Sequence, residues 1–197
     1  MPNVYTKDSG CINNTIKKEN NFYRAGIVGS LNVNYKGHDL AIKIVNKLNE
    51  NGINIRLEIV GAGSFKEYKK RFKELDFKNV IHKGVLKNNQ VEDWIRSLDI
   101  YFQPSLTEAQ GRTIIEAMNL CCPVVATNVG GIPENVPAVC IFDPENLEKG
   151  FEISRSILLD DELRNKLIQA NYIKSLDFLE EKISEERKKS FIDFRRL

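Results

Sequence analysis

Short apolar segments that alternate with helix-like segments restrict the fold of this chain more than any other feature. The apolar segments, which are typical of buried strands, lie at residues 22–30, 53–60, 79–84, 99–103, 122–128 and 138–143. Between them apolar residues recur at helical spacing, as they do at residues 38–49, and a further helix is predicted at residues 64–75. Strands that are joined through helices form right-handed crossovers in a parallel sheet. The sequence therefore predicts an α/β fold, a single Rossmann-like doubly wound parallel sheet of about six strands with helices on both faces.

Glycine-containing turns follow four of the predicted strands, near Gly29, Gly61, Gly84 and Gly130. In an open α/β sheet the carboxyl ends of the strands form one edge, and ligands bind outside that edge. Helix N-termini at the same edge offer free N–H groups and the positive end of the helix dipole. The sequence therefore predicts a ligand site along the edge that carries these four turns.

The stretch 104–116, PSLTEAQGRTIIE, joins the fourth predicted strand to an apolar helix that begins near Gly111. It carries two carboxylates, Glu108 and Glu116, which could bind hydroxyl groups while backbone N–H groups hold an anion. Simpler explanations stay open for both acids. Ser105 and Glu108 have the spacing of a capping box, in which Glu108 only satisfies a helix N-terminus. The helix dipole favours Glu116 near a helix start without any ligand.

Two other elements of this edge are ambiguous when only their spacing is considered. Lys36 precedes Gly37 in the loop after the first strand, and an ammonium beside a permissive backbone suits a diphosphate, although one more exposed lysine is the simpler interpretation. Gly61 and Gly63 stand where a dinucleotide fingerprint would begin. Lys66 occupies the position of the third glycine, so the sequence disfavours an NAD(P) site.

Composition excludes several classes of function. With 29 basic and 27 acidic residues, the net charge of +2 gives no field that would attract nucleic acid. No signal peptide or apolar span of about 18 residues is visible, so the chain is expected to be cytoplasmic. The two histidines, His38 and His82, are expected at the surface. No metal site is predicted, and free thiols are expected for all four cysteines, Cys11, Cys121, Cys122 and Cys140.

The chain divides into three parts. Residues 1–20 are polar and are expected to form a tail or an interdomain linker. Residues 21–175 hold the α/β domain, and residues 176–197 are predicted to form a charged C-terminal helix. We expect this helix to pack on the edge of the domain. The alternatives are a helix that reaches another domain and one that contacts a membrane surface.

Four motifs, taken together, resemble a known family. GSLNVNYKGHD, IVGAG, PSLTEAQGRTIIEAM and PVVATNVGGIPENV follow one another with the order and intervals of the C-terminal, donor-binding domain of family-4 (group 1) retaining glycosyltransferases with the GT-B fold. The third motif contains the family's Glu-x7-Glu as Glu108 and Glu116. The resemblance extends over about residues 24–136 and implies one half of a GT-B enzyme. Such an enzyme transfers a sugar from a nucleoside-diphosphate sugar to a glycan or lipid-linked acceptor, here implied to serve bacterial surface polysaccharide synthesis.

The resemblance also implies a role for each site residue. Glu116 would hold the ribose hydroxyls, Glu108 would contact the donor sugar or lie beside its phosphate, and Lys36 would neutralise the diphosphate. Backbone N–H groups around Gln110, Gly111 and Arg112 would cradle the diphosphate at the helix N-terminus. The family needs no metal and no other cofactor. The remaining implied donor-binding residues lie in turns of the same edge: Ser30, Gly61, Gly63, Lys83, Gly84, Val85 and Leu86.

Two departures from the family pattern alter these expectations. Ser30 stands where the family commonly has arginine, which should weaken the diphosphate site, and Arg112 is a candidate to compensate. Only some twenty polar residues precede the first strand, where GT-B enzymes carry an acceptor-binding domain. The chain is therefore expected to need a missing N-terminal acceptor domain or a partner subunit, and to catalyse little alone. A peripheral contact of the full enzyme with the inner face of the plasma membrane is compatible with these expectations.

Two other functions remain open from the sequence. One is a catalytically silent module that binds a nucleotide sugar for regulation or assembly. The other is half of a sugar-nucleotide epimerase of related fold, which would need its own catalytic acids in a second domain. A titration with nucleoside diphosphates and their sugars separates these functions from the leading interpretation.

Overall fold

The computed structural model describes Cys11 and residues 22–178. Its strands are β1 (Tyr23–Val28), β2 (Ile55–Val60), β3 (Val80–Gly84), β4 (Ile100–Gln103), β5 (Val124–Thr127) and β6 (Ile141–Phe142). Its α-helices are α1 (His38–Glu50), α2 (Phe65–Arg71), α3 (Asn88–Arg96), α4 (Arg112–Asn119), α5 (Ile132–Asn135), α6 (Leu147–Leu159) and α7 (Asp161–Ser175). Strands and helices alternate through most of this region, as the hydrophobic periodicity predicts.

The strands form one sheet in the order β3-β2-β1-β4-β5-β6, and all neighbouring pairs are parallel. The predicted doubly wound parallel sheet is therefore confirmed. The strand order reverses between β1 and β4, and we call this place the switch point. The connections that leave β1 and β4 run to opposite sides of the sheet, and this is the place where open α/β sheets bind ligands.

Helices cover both faces of the sheet. On one face Trp94 of α3 packs so closely on β1 that a Cβ atom at Gly26 would lie 2.8 Å from its ring. On the same face the side chain of Thr113 in α4 bonds to the β4 side chain of Gln103. On the other face α1 packs against α6, and a Cβ atom at Gly150 of α6 would lie 2.9 Å from Ile44. The central strands are therefore buried on both sides, which explains their continuous apolar sequences.

Three local predictions differ from the structure. The last predicted strand begins with a 3-10 turn, Ala138–Cys140, so that β6 keeps only two residues. The one-turn helix α5 was not predicted, because the glycine pair at 130–131 indicated only a turn. Pro133 fits this helix because a proline in the first turn loses no helical hydrogen bond. Helix α2 ends at Arg71 rather than near Leu75. None of these differences moves a strand out of the sheet.

The expectation of four free cysteines is wrong for one pair, since Cys11 and Cys121 form a disulfide. The main-chain oxygen of Cys11 also accepts a hydrogen bond from the side chain of Gln169 in α7 (3.1 Å). Cys11 and Cys121 are 110 residues apart in the sequence, so their spacing could not indicate that they form a pair. Cys122 and Cys140 are free and buried, and burial raises the pKa of both thiols. The bond lies before β5, at the edge opposite the switch point.

The two ends of the chain bear on the predicted domain boundaries. The predicted helix at 176–197 begins with a 3-10 turn, Leu176–Phe178, and its remainder lies outside the described residues. The predicted tail at 1–20 lies outside them as well, apart from Cys11. In the part of the chain that the structure describes, no helix has the length and apolar character to cross a membrane.

Candidate functional site

The loops after β1 and β4 meet at the switch point. The ammonium of Lys36 lies 2.7 Å from a carboxylate oxygen of Glu108, although 72 residues separate them in the sequence. The N–H group of Leu106 donates to the main-chain oxygen of Tyr35 (2.7 Å), which joins the two loops a second time. Both charged side chains are largely buried, with 22% and 14% of their side-chain surface exposed. The sequence-predicted pair Lys36 and Glu108 therefore forms one ion pair at the centre of the edge.

A buried amide orients the carboxylate of Glu108. The side-chain N–H of Gln103, at the end of β4, donates to Glu108 (3.1 Å) and to Ser105 (2.9 Å). The hydroxyl of Thr113 in α4 donates to the amide oxygen of Gln103 (3.0 Å), which fixes the amide orientation. The hydroxyl of Thr127 in β5 holds the main-chain oxygen of Ser105 (2.6 Å). Sequence reasoning missed Gln103, Thr113 and Thr127, and polar residues at the end of buried strands were the available signal.

The capping-box explanation of Glu108 is wrong. Helix α4 begins at Arg112, and its N-cap is Gly111 in the left-handed region (φ 73°, ψ 48°). The N-cap glycine carries no side chain, so no side-chain oxygen of the N-cap residue bonds the N–H groups at the start of this helix, which lie at the switch point. Such a helix start is a suitable site for an anion. Arg112 is exposed at this start, where the sequence predicts that it contacts a diphosphate.

The turn after β5 fixes the loop that contains Glu108. Gly130 has φ 55°, and a Cβ atom there would lie 1.6 Å from the main-chain oxygen of Glu108, so only glycine fits. The side chain of Asn135 in α5 donates to the main-chain oxygen of Gln110 (2.9 Å). The loop at residues 108–111 is therefore fixed in place between α4 and α5.

The turns after β1, β2 and β3 also touch one another. A Cβ atom at Gly61 would lie 2.0 Å from the main-chain oxygen of Gly29. The N–H of Gly61 donates to the oxygen of Gly84 (2.9 Å). The hydroxyl of Ser30 donates to the main-chain oxygen of Ala62 (3.3 Å). Gly63 continues this contact, since a Cβ atom there would lie 2.9 Å from the side chains of Leu31 and Asn32. The structure therefore brings the predicted glycine turns together on the β3 side of the edge.

The ammonium of Lys83 pairs with Glu58 (3.4 Å), and the predicted contact of its turn with the donor stays a prediction. Glu58 is buried and also accepts hydrogen bonds from Arg24 (2.8 Å) and from the ring N–H of Trp94 (2.7 Å). Burial raises the pKa of Glu58, but these hydrogen bonds and the charges of Arg24 and Lys83 hold it below its ordinary value. Val85 is 75% exposed beside this cluster, free to contact a ligand. The turn at residues 83–86, in which Leu86 is half-buried, therefore lies beside Gly61 through its backbone.

Glu116 lies one helical turn after Arg112 on the same side of α4, near the helix start. Its side chain is half-buried. Burial raises the pKa of Tyr101 in β4, and the charge of Glu116 raises it further. The two predicted acids therefore occupy the same end of α4, with Glu108 before the helix and Glu116 inside it.

The prediction that both histidines lie at the surface is wrong for His38, which is 1% exposed, while His82 is half-buried. Nε2 of His38 lies 3.3 Å from the main-chain oxygen of Gly29. Nε2 of His82 lies 2.9 Å from that of Gly61. Burial lowers the pKa of His38 to about 4, so its ring is neutral at neutral pH. Each histidine thus contacts the main-chain oxygen of one glycine turn at this edge.

The charge state of Glu108 follows from its neighbours. Burial by itself raises the pKa of Glu108, but the hydrogen bond and charge of Lys36 and the N–H groups of Ala109 and Gly111 hold it below its ordinary value. The carboxylate is therefore ionised at neutral pH. Its contribution to stability is present above the pKa of the unfolded chain and is lost as the pH falls through the lower folded-state value.

We expect the Lys36→Met variant to raise the pKa of Glu108, because the cation that favours its charged form is removed. A 13C NMR titration of the Glu108 carboxyl carbon in both proteins measures the change. Lys43→Met is the matched control, since Lys43 pairs with Asp39 on the exposed side of α1 and should leave Glu108 unchanged. Equal Glu108 pKa values in Lys36→Met and in the unmodified protein would contradict the ion pair.

Among the described residues, no group of three or more His, Cys, Asp and Glu side chains lies together in a way that could hold a metal ion. The expectation that the site works without a metal remains a prediction.

Residues 13–174 match the family described as glycosyl transferases, group 1. Among curated proteins, CapJ of Staphylococcus aureus is 34% identical over 90% of this chain and 46% of its own length. The sulfoquinovosyl transferase SQD2 of Arabidopsis thaliana is 30% identical over 70% of this chain and 27% of its own length. The colanic acid biosynthesis glycosyltransferase WcaL of Escherichia coli, assigned provisionally, is 30% identical over 52% of this chain and 27% of its length. The chain therefore spans half or less of the length of these relatives.

Solved structures show the same fold. TarM superimposes with a TM-score of 0.70 at 21% identity, covering 87% of this chain and 36% of that one. Sucrose-phosphate synthase from Thermosynechococcus elongatus gives a TM-score of 0.76 at 18% identity, covering 89% and 46%. Anabaena HepE, solved in complex with UDP and glucose, gives 0.72 at 22% identity, covering 87% and 48%. Each of these structures extends well beyond the region that matches this chain.

Proposed function

Since this chain belongs to the group 1 glycosyl transferases, we propose that it is the donor-binding half of an enzyme that transfers a sugar from a nucleoside-diphosphate sugar. The observation that carries this proposal is the ion pair of Lys36 and Glu108 at the switch point, beside the uncapped start of α4. A cation and free N–H groups suit a diphosphate, and a neighbouring carboxylate suits sugar hydroxyls. The three features lie at the edge where open α/β sheets bind ligands.

In this proposal the protein's contribution to transfer is electrostatic. As the bond between the sugar and the diphosphate breaks, negative charge grows on the departing diphosphate. The Lys36 ammonium and the N–H groups at the start of α4, beginning with that of Arg112, stabilise that charge from fixed positions, which lowers the barrier. The ionised Glu108 accepts a hydrogen bond from a donor-sugar hydroxyl while Gln103 holds its orientation. Transfer with retention at the anomeric carbon and without a metal belongs to the same proposal.

The nucleoside is proposed to lie on the β3 side of the diphosphate. Glu116, inside the first turns of α4, accepts hydrogen bonds from the two ribose hydroxyls. The base lies against the contacting turns at 61–63 and 83–86, where the exposed Val85 offers an apolar surface. Glycines in these turns let the backbone approach a flat ring closely.

The complete enzyme is proposed to carry an acceptor-binding part in addition to this domain, either in the same protein or in a partner subunit. The greater lengths of the relatives support this. A glycan or lipid-linked acceptor and a role in bacterial surface polysaccharide synthesis belong to the same proposal, which is supported by the similarity to WcaL, provisionally assigned to colanic acid biosynthesis. Work at the inner face of the plasma membrane, through peripheral contact of the full enzyme, follows from such an acceptor.

We expect Glu116→Ala to weaken the binding of the preferred nucleoside diphosphate by about tenfold, as the loss of hydrogen bonds to a charged group predicts. Isothermal titration calorimetry with UDP and GDP identifies the preferred base, and the matching nucleoside should lose the same factor because it carries the same ribose. The 2′-deoxynucleotide should be less sensitive to the substitution. Glu134→Ala, an exposed acid of α5 at the same edge, is the control and should change neither affinity.

Two results would count against the donor-site proposal. If the unmodified chain binds neither UDP nor GDP at millimolar concentration, the chain has no nucleotide site. If Glu116→Ala and Glu134→Ala have equal effects, Glu116 does not hold the ribose. A nucleotide that binds without any transfer after the acceptor-binding part is supplied would favour the silent binding module instead.

A further inference from the structure

His38 makes a hydrogen bond whose direction can be assigned. Its Nε2 lies 3.3 Å from the main-chain oxygen of Gly29, and a carbonyl oxygen can only accept. The ring is neutral at neutral pH, so it carries one proton, and that proton is on Nε2. The other nitrogen, Nδ1, is buried and has no hydrogen-bond partner. His38 is therefore held in one tautomer, and its single polar contact is with the Gly29 oxygen.

That contact fixes the orientation of the peptide unit between Gly29 and Ser30. The structure has no cis peptide bond, and in a trans unit the C=O and N–H bonds point in opposite directions. With the oxygen turned toward His38, the N–H of Ser30 points away from α1. Gly61 closes over the same oxygen from the β2 side, so the unit has no room to rotate. Across the backbone contacts of the described residues, the N–H of Ser30 donates to no protein acceptor.

His38 also supports the side chain of Lys36. A Cβ atom at Gly29 would lie 3.0 Å from Cγ of Lys36 and 3.1 Å from the His38 ring, so the lysine stem and the imidazole both lie against Gly29. The ring is packed from its other side by Tyr68 of α2, with the ring centroids 6.0 Å apart. A buried, immobile ring thus underlies both the stem of Lys36 and the Gly29–Ser30 peptide unit.

We propose that His38 is a positioning residue of the diphosphate site, which directs the backbone N–H of Ser30 and the ammonium of Lys36 at the same phosphate group. This inference rests on the proposed function. Ser30 then contributes its N–H rather than its hydroxyl, which donates to Ala62 instead. A fixed N–H donor at this position supplies a phosphate contact in a turn that has no guanidinium of its own.

Calorimetry with the preferred nucleoside diphosphate and with its nucleoside tests the inference, because only the diphosphate reaches Ser30 and Lys36. We expect His38→Leu to weaken binding of the diphosphate about tenfold and to leave the nucleoside within about twofold. His38→Gln carries an amide donor at a similar reach and should return the diphosphate affinity to within about threefold of the unmodified protein. Tyr68→Leu is the matched control, since it loosens the ring packing without removing the donor to Gly29, and should keep the ratio of the two affinities.

A second measurement does not depend on any variant. In a 1H–15N NMR titration of the unmodified chain with inorganic pyrophosphate, the amide proton of Ser30 should move downfield on binding. A Ser30 amide that stays in place while pyrophosphate binds overturns the inference and leaves the donor-site proposal standing. An unchanged ratio of affinities in folded His38→Leu overturns it as well. If the unmodified chain binds neither nucleotide nor pyrophosphate, the proposed function fails first and the inference with it.

Discussion

Gly37→Ala is expected to lower the free energy of unfolding by about 3 kcal/mol, a large stability effect. Gly37 has φ 68°, which is unfavourable for alanine, and it forms the N-cap of α1. A Cβ atom there would also lie 1.8 Å from the main-chain oxygen of Pro104. The loops after β1 and β4 would have to separate to relieve this overlap. Urea denaturation of both proteins measures the change.

Gly52→Ala provides a control that separates the two causes. Gly52 has φ 79°, but nothing lies within 4 Å of a Cβ atom there. Its replacement should cost only the strain of the left-handed conformation, about 1 kcal/mol. If Gly37→Ala costs no more than Gly52→Ala, the close approach of the β1 and β4 loops is not as tight as the structure shows. Gly37→Ala should also lose binding of nucleoside diphosphates, because Lys36 and Glu108 would no longer form their ion pair.

Lys36→Met is expected to weaken binding of the preferred nucleoside diphosphate by about 10- to 100-fold, the largest functional effect. The substitution removes the ammonium that pairs with Glu108, and so leaves a carboxylate without its cation beside the diphosphate. Binding of the nucleoside alone should be nearly unchanged, since it carries no phosphate. Calorimetry with both ligands gives the two affinities. Lys43→Met, which removes an exposed lysine of α1, should change neither.

The partner acid gives a result of opposite sign. Glu108→Gln removes the negative charge and releases Lys36, so binding of the nucleoside diphosphate should become tighter, while sugar transfer by the complete enzyme should fall. Raising the salt concentration should change both effects on diphosphate binding only slightly, because a largely buried ion pair is screened much less than exposed charges. If Lys36→Met weakens the diphosphate and the nucleoside equally, its role is structural rather than electrostatic.

The fold was predictable from the sequence because its signals are local. Each buried strand of this sheet is a short continuous apolar run, and each helix repeats apolar residues along one side. The order of the four motifs likewise predicted which turns would lie at the ligand edge. One local signal was misleading, because the sequence offered two possible starts for the helix α4. Ser105 and Glu108 have capping-box spacing, yet the helix begins only at Arg112, after the glycine N-cap.

The partners of individual side chains were less predictable, since many are far apart in the sequence. Lys83 was predicted as a donor-binding residue, but the sequence did not indicate that its ammonium pairs with the buried Glu58, which also accepts a hydrogen bond from Trp94. His38 was predicted at the surface because one polar side chain among helical apolar residues carries no sign of its burial. Gln103 and Thr127 stand at strand ends, and their partners become apparent only when β4 and β5 lie side by side.

The sequence by itself determined the elements, the parallel sheet and the two acids with their lysine, because periodicity and motif intervals are properties of neighbouring residues. Only the tertiary structure decided that Lys36 and Glu108 form one ion pair, that His38 holds the Gly29 turn, and that Cys11 is bonded to Cys121. These contacts follow from the strand order. Placing β4 beside β1 brings the loops of two distant segments together at the switch point, and no local pattern in either segment records its partner.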